Sequence, residues 1–189
     1  MSIIIAAAQL AAHYHKQQIR NYSGRPYLTH LIRVAGHYMT LTNATENSTA
    51  ACFLHDSIED QAPTSLDVAR ISAEIKQHCG ERTLKLVLEL TNQSKGMQLP
   101  RAERKRIDRE HLQKASWEAR RIKLVDRIDN VQETTRNINA HIVANLEFPN
   151  LYAEESQALL EVLKGTDTEL ENTLEQSIID LRHACKALA

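Results

Sequence analysis

The stretch Ala50-Ala51-Cys52-Phe53-Leu54-His55-Asp56-Ser57-Ile58-Glu59-Asp60 decides how the rest of the chain reads. Its first half is almost wholly apolar, and Pro63 soon stops the pattern, so the stretch predicts one buried helix from Ser48 to about Asp60. The helix ends in four titratable groups. His55 and Glu59 are four residues apart, as are Asp56 and Asp60, and on a continuous helix each pair shares a face. Burying such groups without partners is costly. A divalent cation is a natural partner for imidazole and carboxylate together. The spacing alone leaves open a plainer alternative, a helix end that emerges into water.

Working outward, the same helical texture continues in both directions. The N-terminus reads as a helix through Arg20, and Asn21 to Pro26 reads as a loop marked by Gly24 and Pro26. A helix capped by Thr29 should carry Ile32, Val34, Ala35 and Tyr38, with a turn from Leu41 to Asn47 after it. Beyond Pro63, Ser65 opens another helix through Val68 and Ile71, and Leu84 to Leu90 continue the theme. Asn92 to Pro100 is a loop. A charged helix starts near Arg101, and another runs from Ser116 through Val131 with Ile122, Val125 and Ile128 facing the core. Two more are expected over Tyr152–Lys164 and Leu170–Leu188. In the last of these, Leu170, Leu174, Ile178 and Leu181 recur at helical spacing.

Composition agrees with this reading. Five glycines and four prolines in 189 residues favour helices over strands. The expected fold class is therefore all-α, a compact helical bundle forming a single domain over residues 1–189. Hydrophobic residues at 42% and charged residues at 25% describe a globular chain. A net charge of -1 argues against a general nucleic-acid or membrane binder. Met1 to Leu10 lacks the basic start of a signal peptide, and no apolar run approaches a membrane span. Cys52, Cys79 and Cys185 have no metal-type spacing and read as buried thiols, which points to the cytoplasm.

Two residues far from the opening stretch join it chemically. His30 stands at the start of a predicted helix, where a capping or satisfied interior histidine is the ordinary alternative. Asp126 stands among the apolar Leu124, Val125 and Ile128 of Lys123-Leu124-Val125-Asp126-Arg127-Ile128, with Asn130 one turn on. Its ordinary alternative is a surface ion pair with Lys123 or Arg127. The stretch Arg101 to Arg127 holds ten basic residues against five acidic ones, most of them readable as a solvated helix face.

In order along the chain, Gly24-Arg25-Pro26-Tyr27-Leu28-Thr29-His30, Arg33-Val34-Ala35, Leu54 to Asp60, Leu99 to Arg106, Lys123 to Asp126 with Asn130, Tyr152, Glu154-Glu155 and Gly165-Thr166 make a linked pattern. It resembles the HD-domain superfamily, and more closely the hydrolase domain of RelA/SpoT-type proteins in its free-standing form, the small alarmone hydrolases. The resemblance covers most of the chain. It implies a HD-type bundle in which His30, His55, Asp56 and Asp126 hold one metal ion. That ion is usually Mn²⁺, and the ligand chemistry also admits Zn²⁺ or Fe²⁺.

The resemblance further implies that Glu59 and Asp60 activate and position the attacking water, without saying which is the base. It implies that Arg20 stacks on a purine, that Tyr152 lines the base pocket and that Asn130 contacts the ribose. Arg101 and Arg104 match a basic segment near the polyphosphate. The implied activity is removal of the 3′-diphosphate from a purine nucleotide such as (p)ppGpp, as pyrophosphate. The same chemistry on (p)ppApp, or phosphate removal from NADPH, is the near alternative; a non-catalytic metal or nucleotide sensor is the distant one. A small-molecule nucleotide is the expected partner. Asn21, Leu31 and Gln61 depart from the family pattern, and Asn21 puts one substrate contact, and with it the exact base, in doubt.

Overall fold

The computed structural model describes residues 2–145 and 147–188, and among these every named element is a helix. In chain order they are α1 (Ile3–Tyr14), α2 (Leu28–Met39), α3 (Glu46–Leu54), α4 (Ser57–Gln61), α5 (Ser65–Leu90), α6 (Arg101–Gln113), α7 (Trp117–Arg136), α8 (Ile138–Ala144), α9 (Phe148–Leu163) and α10 (Thr168–Ala187). The all-α expectation holds. None of these helices is long and apolar enough to cross a membrane.

Side chains that satisfy the first free backbone N–H groups set many of the helix starts. Ser2, Thr45, Thr64, Ser116 and Asp167 each accept from the backbone at the start of α1, α3, α5, α7 and α10. At α3, Thr45 and Ser48 bond reciprocally, so the helix starts before the expected Ser48. Thr29 is not a cap. Tyr27 takes that position, and the Thr29 hydroxyl donates to the Pro26 carbonyl at 2.8 Å.

Two short-range differences from the sequence reading shape the site. The first helix ends at Tyr14 rather than Arg20. The chain then doubles back, with Ile19 and Pro26 in an isolated antiparallel bridge and the Arg20 N–H on the Arg25 carbonyl at 2.8 Å. Gly24, at φ 65°, makes the turn that this pairing needs. The expected 48–60 helix is broken into α3 and α4 at His55 and Asp56. Adjacent residues on an unbroken helix point about 100° apart, whereas here both side chains reach one point. His55 Nδ1 turns back onto the Cys52 carbonyl at 2.8 Å, and Asp56 becomes the residue before α4.

α3 and α7 run through the middle. α3 packs against α1, α2, α5 and α7, while α7 also meets α9 and α10. Leu54, Ile71, Ile122, Leu124, Leu160 and Leu174 are wholly buried between them. The helical stripe Leu170, Leu174, Ile178 and Leu181 is buried as expected, but Ile32 of α2 is half exposed. Gly80, at φ 87°, kinks α5 between its two apolar runs. α8 was not foreseen, and α9 begins at Phe148 rather than Tyr152.

Candidate metal centre and adjoining cleft

His30 from α2, His55 and Asp56 from the α3–α4 break, and Asp126 from the middle of α7 converge in the interior. The His30 and His55 Nε2 atoms are 3.4 Å apart. Asp56 Oδ2 lies 3.1 Å from His55 Nε2 and 3.7 Å from His30 Nε2. Asp126 Oδ1 lies 3.3 Å and 3.5 Å from the same two nitrogens. One ligand atom each from His30, His55 and Asp56 falls within 4.8 Å of the others.

The outer faces of both rings are spoken for. His55 Nδ1 meets a carbonyl oxygen, which can only accept, so Nδ1 carries the proton. His30 Nδ1 meets Asp129 Oδ2 at 2.6 Å, which favours the same tautomer. In the neutral form both imidazoles therefore aim Nε2 lone pairs at one point, beside two carboxylates. That donor set fits a divalent cation. The local field says the same. Burial alone would lower both histidines, but Asp126 and Asp129 raise His30, and Asp56 with Asp126 raises His55 well above the ordinary value. A centre that attracts protons this way attracts a cation, which would displace them.

The carboxylates are pinned too. Burial opposes their charge, but Lys123 and the histidines hold Asp126 well below the ordinary range, and His55 does the same for Asp56. Lys123 Nζ lies 2.8 Å from Asp126 Oδ2. The ion pair foreseen as the ordinary alternative for Asp126 thus exists, but it is buried at the centre rather than on the surface. Asn130 Nδ2 donates to Asp126 Oδ1 at 2.6 Å, and the Tyr27 hydroxyl donates to Asp56 Oδ2 at 2.6 Å. Behind His30, Asp129 accepts from Arg33 Nε at 2.6 Å, and Arg33 also reaches Glu133 at 2.6 Å. Asp129 escaped the sequence reading, although its place three residues after Asp126 put it on the same face of α7.

Glu59 and Asp60 sit on α4 beside the centre, turned to different partners. Glu59 accepts from Asn92 Nδ2 at 2.8 Å, while Asp60 accepts from Gln18 Nε2 at 2.7 Å. Burial first, and Asp56 second, raise the pKa of both. A raised pKa makes a carboxylate a stronger acceptor for a proton from water.

Next to the centre is a cleft of about 220 Å³ whose walls include Arg20, Tyr22, Asn130, His141, Phe148 and Tyr152. The structure thus brings Arg20, Asn130 and Tyr152 together, as the sequence reading expected. Tyr22, His141, Phe148 and Tyr152 form a row of rings with successive centroids 3.7, 5.5 and 5.5 Å apart. Arg20 Nη2 donates to Asn130 Oδ1 at 2.9 Å. Arg101 and Arg104 are not in this wall. Arg101 is paired with Glu155 at 2.6 Å, its guanidinium 5.7 Å from the Phe148 ring. Arg104 Nε is buried with no hydrogen-bond partner among the described residues. Lys105, Lys123 and Arg127, which the sequence reading did not single out, line a smaller basic recess with Asn92 and Glu155.

Residues 7–159 match the family described as HD domain. The guanosine-3′,5′-bis(diphosphate) 3′-pyrophosphohydrolase MESH1 of Mus musculus is 32% identical, over 92% of this chain and 91% of its own. The Homo sapiens protein of the same name is 31% identical, over 91% and 90%. A solved structure described as a metazoan ortholog of SpoT that hydrolyzes ppGpp superposes with a TM-score of 0.74 at 26% identity, covering 94% of both chains. The chain belongs to the HD-domain family, which implies a divalent metal at its His–Asp centre.

Proposed function

We propose that the whole chain, residues 1–189, is one metal-dependent phosphohydrolase domain that removes the 3′-diphosphate of a purine nucleotide alarmone, with (p)ppGpp as the leading substrate. The observation that carries this reading is the position of Asn130. One end of its amide meets Asp126 at the centre and the other meets Arg20 in the cleft, so the two share a wall. A nucleotide held in that cleft has its sugar next to the metal centre. The similarity to the two pyrophosphohydrolases supports the same reaction.

His30, His55, Asp56 and Asp126 hold the cation, for which Mn²⁺ is the leading choice and Zn²⁺ or Fe²⁺ the others. When bound, it supplies Lewis acidity at the phosphoryl oxygens and lowers the pKa of water. Arg20 stacks on the base, Tyr152 lines the base pocket, and Asn130 turns to the ribose. Glu59 and Asp60 orient a water and take its proton. Water attacks the phosphorus on the 3′ oxygen, the bond between them breaks, the 3′ oxygen takes up a proton to become the free hydroxyl of GDP or GTP, and pyrophosphate leaves. Arg104 is assigned to the polyphosphate by the family resemblance alone. Arg101 serves there by exchanging Glu155 for phosphate. The domain works on a small molecule in the cytoplasm, without nucleic acid or membrane.

The test offers ppGpp, ppApp and NADPH side by side to purified protein with Mn²⁺, with Asp56→Ala as control. Pyrophosphate from ppGpp, lost in the control, is the expected result. Pyrophosphate from ppApp alone moves the base assignment to adenine. Phosphate from NADPH alone overturns the alarmone reading. No turnover with metal bound leaves a sensor.

A further inference from the structure

α4 has five residues, carries both water-handling acids, and is too short to hold itself. Much of its support comes from the segment between α5 and α6. Asn92 meets the Glu59 carboxylate twice, with Nδ2 on Oε1 at 2.8 Å and its backbone N–H on Oε2 at 3.3 Å. Lys95 Nζ donates to the carbonyls of Ile58, Glu59 and Ala62, the first at 3.5 Å and the last at 3.0 Å. An ammonium over the last carbonyls of a helix also opposes the negative end of its dipole. The segment is itself tied to α6, because Asp108 accepts from the Ser94 N–H at 3.0 Å and from its hydroxyl at 2.9 Å.

This arrangement does more than close a loop. A carboxylate oxygen can accept about two hydrogen bonds. The two-point grip uses one on each Glu59 oxygen, fixes the plane of the carboxylate, and leaves the remaining lone pairs for water. An aspartate at position 92 would have the same shape but would set a second carboxylate against the first.

We propose that Asn92, backed by Lys95, is a positioning residue for the hydrolysis: it holds Glu59 in the orientation that directs the attacking water, from outside the nucleotide cleft and without a hydrogen bond to any of the four proposed ligands. This rests on the hydrolase reading above, and specifically on Glu59 acting on water.

The experiment measures kcat, KM and Mn²⁺ affinity by calorimetry on the full chain, for wild type, Glu59→Gln, Asn92→Asp, Asn92→Ala and Lys95→Met. The expected result is that Asn92→Asp lowers kcat by roughly 10–100-fold, the range usual for groups that orient a metal site's residues. KM and Mn²⁺ affinity should stay within about twofold of wild type, because the cleft and the ligands are untouched. Asn92→Ala, which keeps the backbone donor, should lose less, and Lys95→Met should be partly rescued by Lys95→Arg. In the pair Glu59→Gln with Asn92→Asp, the Tm lost by Asn92→Asp alone should return, because an amide again faces a carboxylate. Unchanged kcat in both Asn92 variants overturns the inference. So does a loss shared equally by kcat, KM and Mn²⁺ affinity, which marks a structural role only. A Glu59→Gln variant as active as wild type removes the premise itself, whatever Asn92 does.

Discussion

The metal centre and the cleft beside it are built in opposite ways. At the centre, His30, His55 and Asp126 are almost wholly buried, and each faces a second group that fixes its direction. The side chains come from α2, α7 and the deliberate break between α3 and α4. The cleft is open, and its walls come from the turn after α1, the end of α7 and the short α8 with the start of α9. On the proposed function, reaction chemistry is held by packed helices, while substrate choice is left to segments that can change without disturbing the core. Substitutions at the centre should destroy the reaction, and substitutions in the cleft should only move affinity.

The largest effect belongs to the proposed ligands. Asp126→Asn or His55→Ala should abolish Mn²⁺ binding by calorimetry and lower kcat/KM by roughly a thousandfold or more, since a bound metal contributes several kcal/mol to the transition state. Retained metal binding in both would break the contrast at once.

Asp129→Asn comes next, at roughly 10–100-fold in Mn²⁺ affinity or activity, because the His30 ring loses its anionic partner. Asp129 also gives a pH signature. Burial pushes its pKa up, but His30 and Arg33 pull it down from 3.8 to about 2. Its native value is depressed, so its stabilisation is full above the ordinary carboxylate value and is lost as pH falls through about 2. In metal-free protein, the Tm gap between wild type and Asp129→Asn should be widest above pH about 4 and close toward pH about 2.

Arg20→Ala should raise KM about tenfold and leave kcat within about threefold, the scale of one stacking contact. Arg20→Lys should not restore it, because an ammonium has no plane to stack. A large fall in kcat instead would put Arg20 in the reaction and blur the division between the two regions. The smallest effect is expected at Arg101, which is 42% exposed and shares its charge with Glu155. Arg101→Ala should change KM by less than about fivefold, and less again at high salt.

The same contrast explains what the sequence could tell. The four proposed ligands stand in or beside regular helices, where Asp126 is conspicuous against the apolar Leu124, Val125 and Ile128 that share its segment. The helix types and the buried stripe of α10 were legible for the same periodic reason. The break at His55 and Asp56 was not, because local propensity continues through it and both residues keep backbone angles in the helical region. The end of α1 at Tyr14 was hidden likewise, since the turn-back that pairs Ile19 with Pro26 joins residues too far apart in sequence for local propensity to show. In the cleft, Arg20, Asn130 and Tyr152 were legible only through resemblance to a family. Tyr22, His141 and Phe148 come together from the turn after α1, from the short α8 and from the first residue of α9. Asn92 lies in a loop, and its bond to Glu59 spans 33 residues of sequence, so no local pattern marks it.

The central claim is that water attacks the phosphorus on the 3′ oxygen of a nucleotide held beside the His–Asp centre. The most direct measurement is turnover of ppGpp with Mn²⁺ in ¹⁸O-labelled water, with products read by mass spectrometry. The account predicts one ¹⁸O in the released pyrophosphate and none in the GDP. Label in the GDP, or release of labelled orthophosphate in place of pyrophosphate, would contradict it.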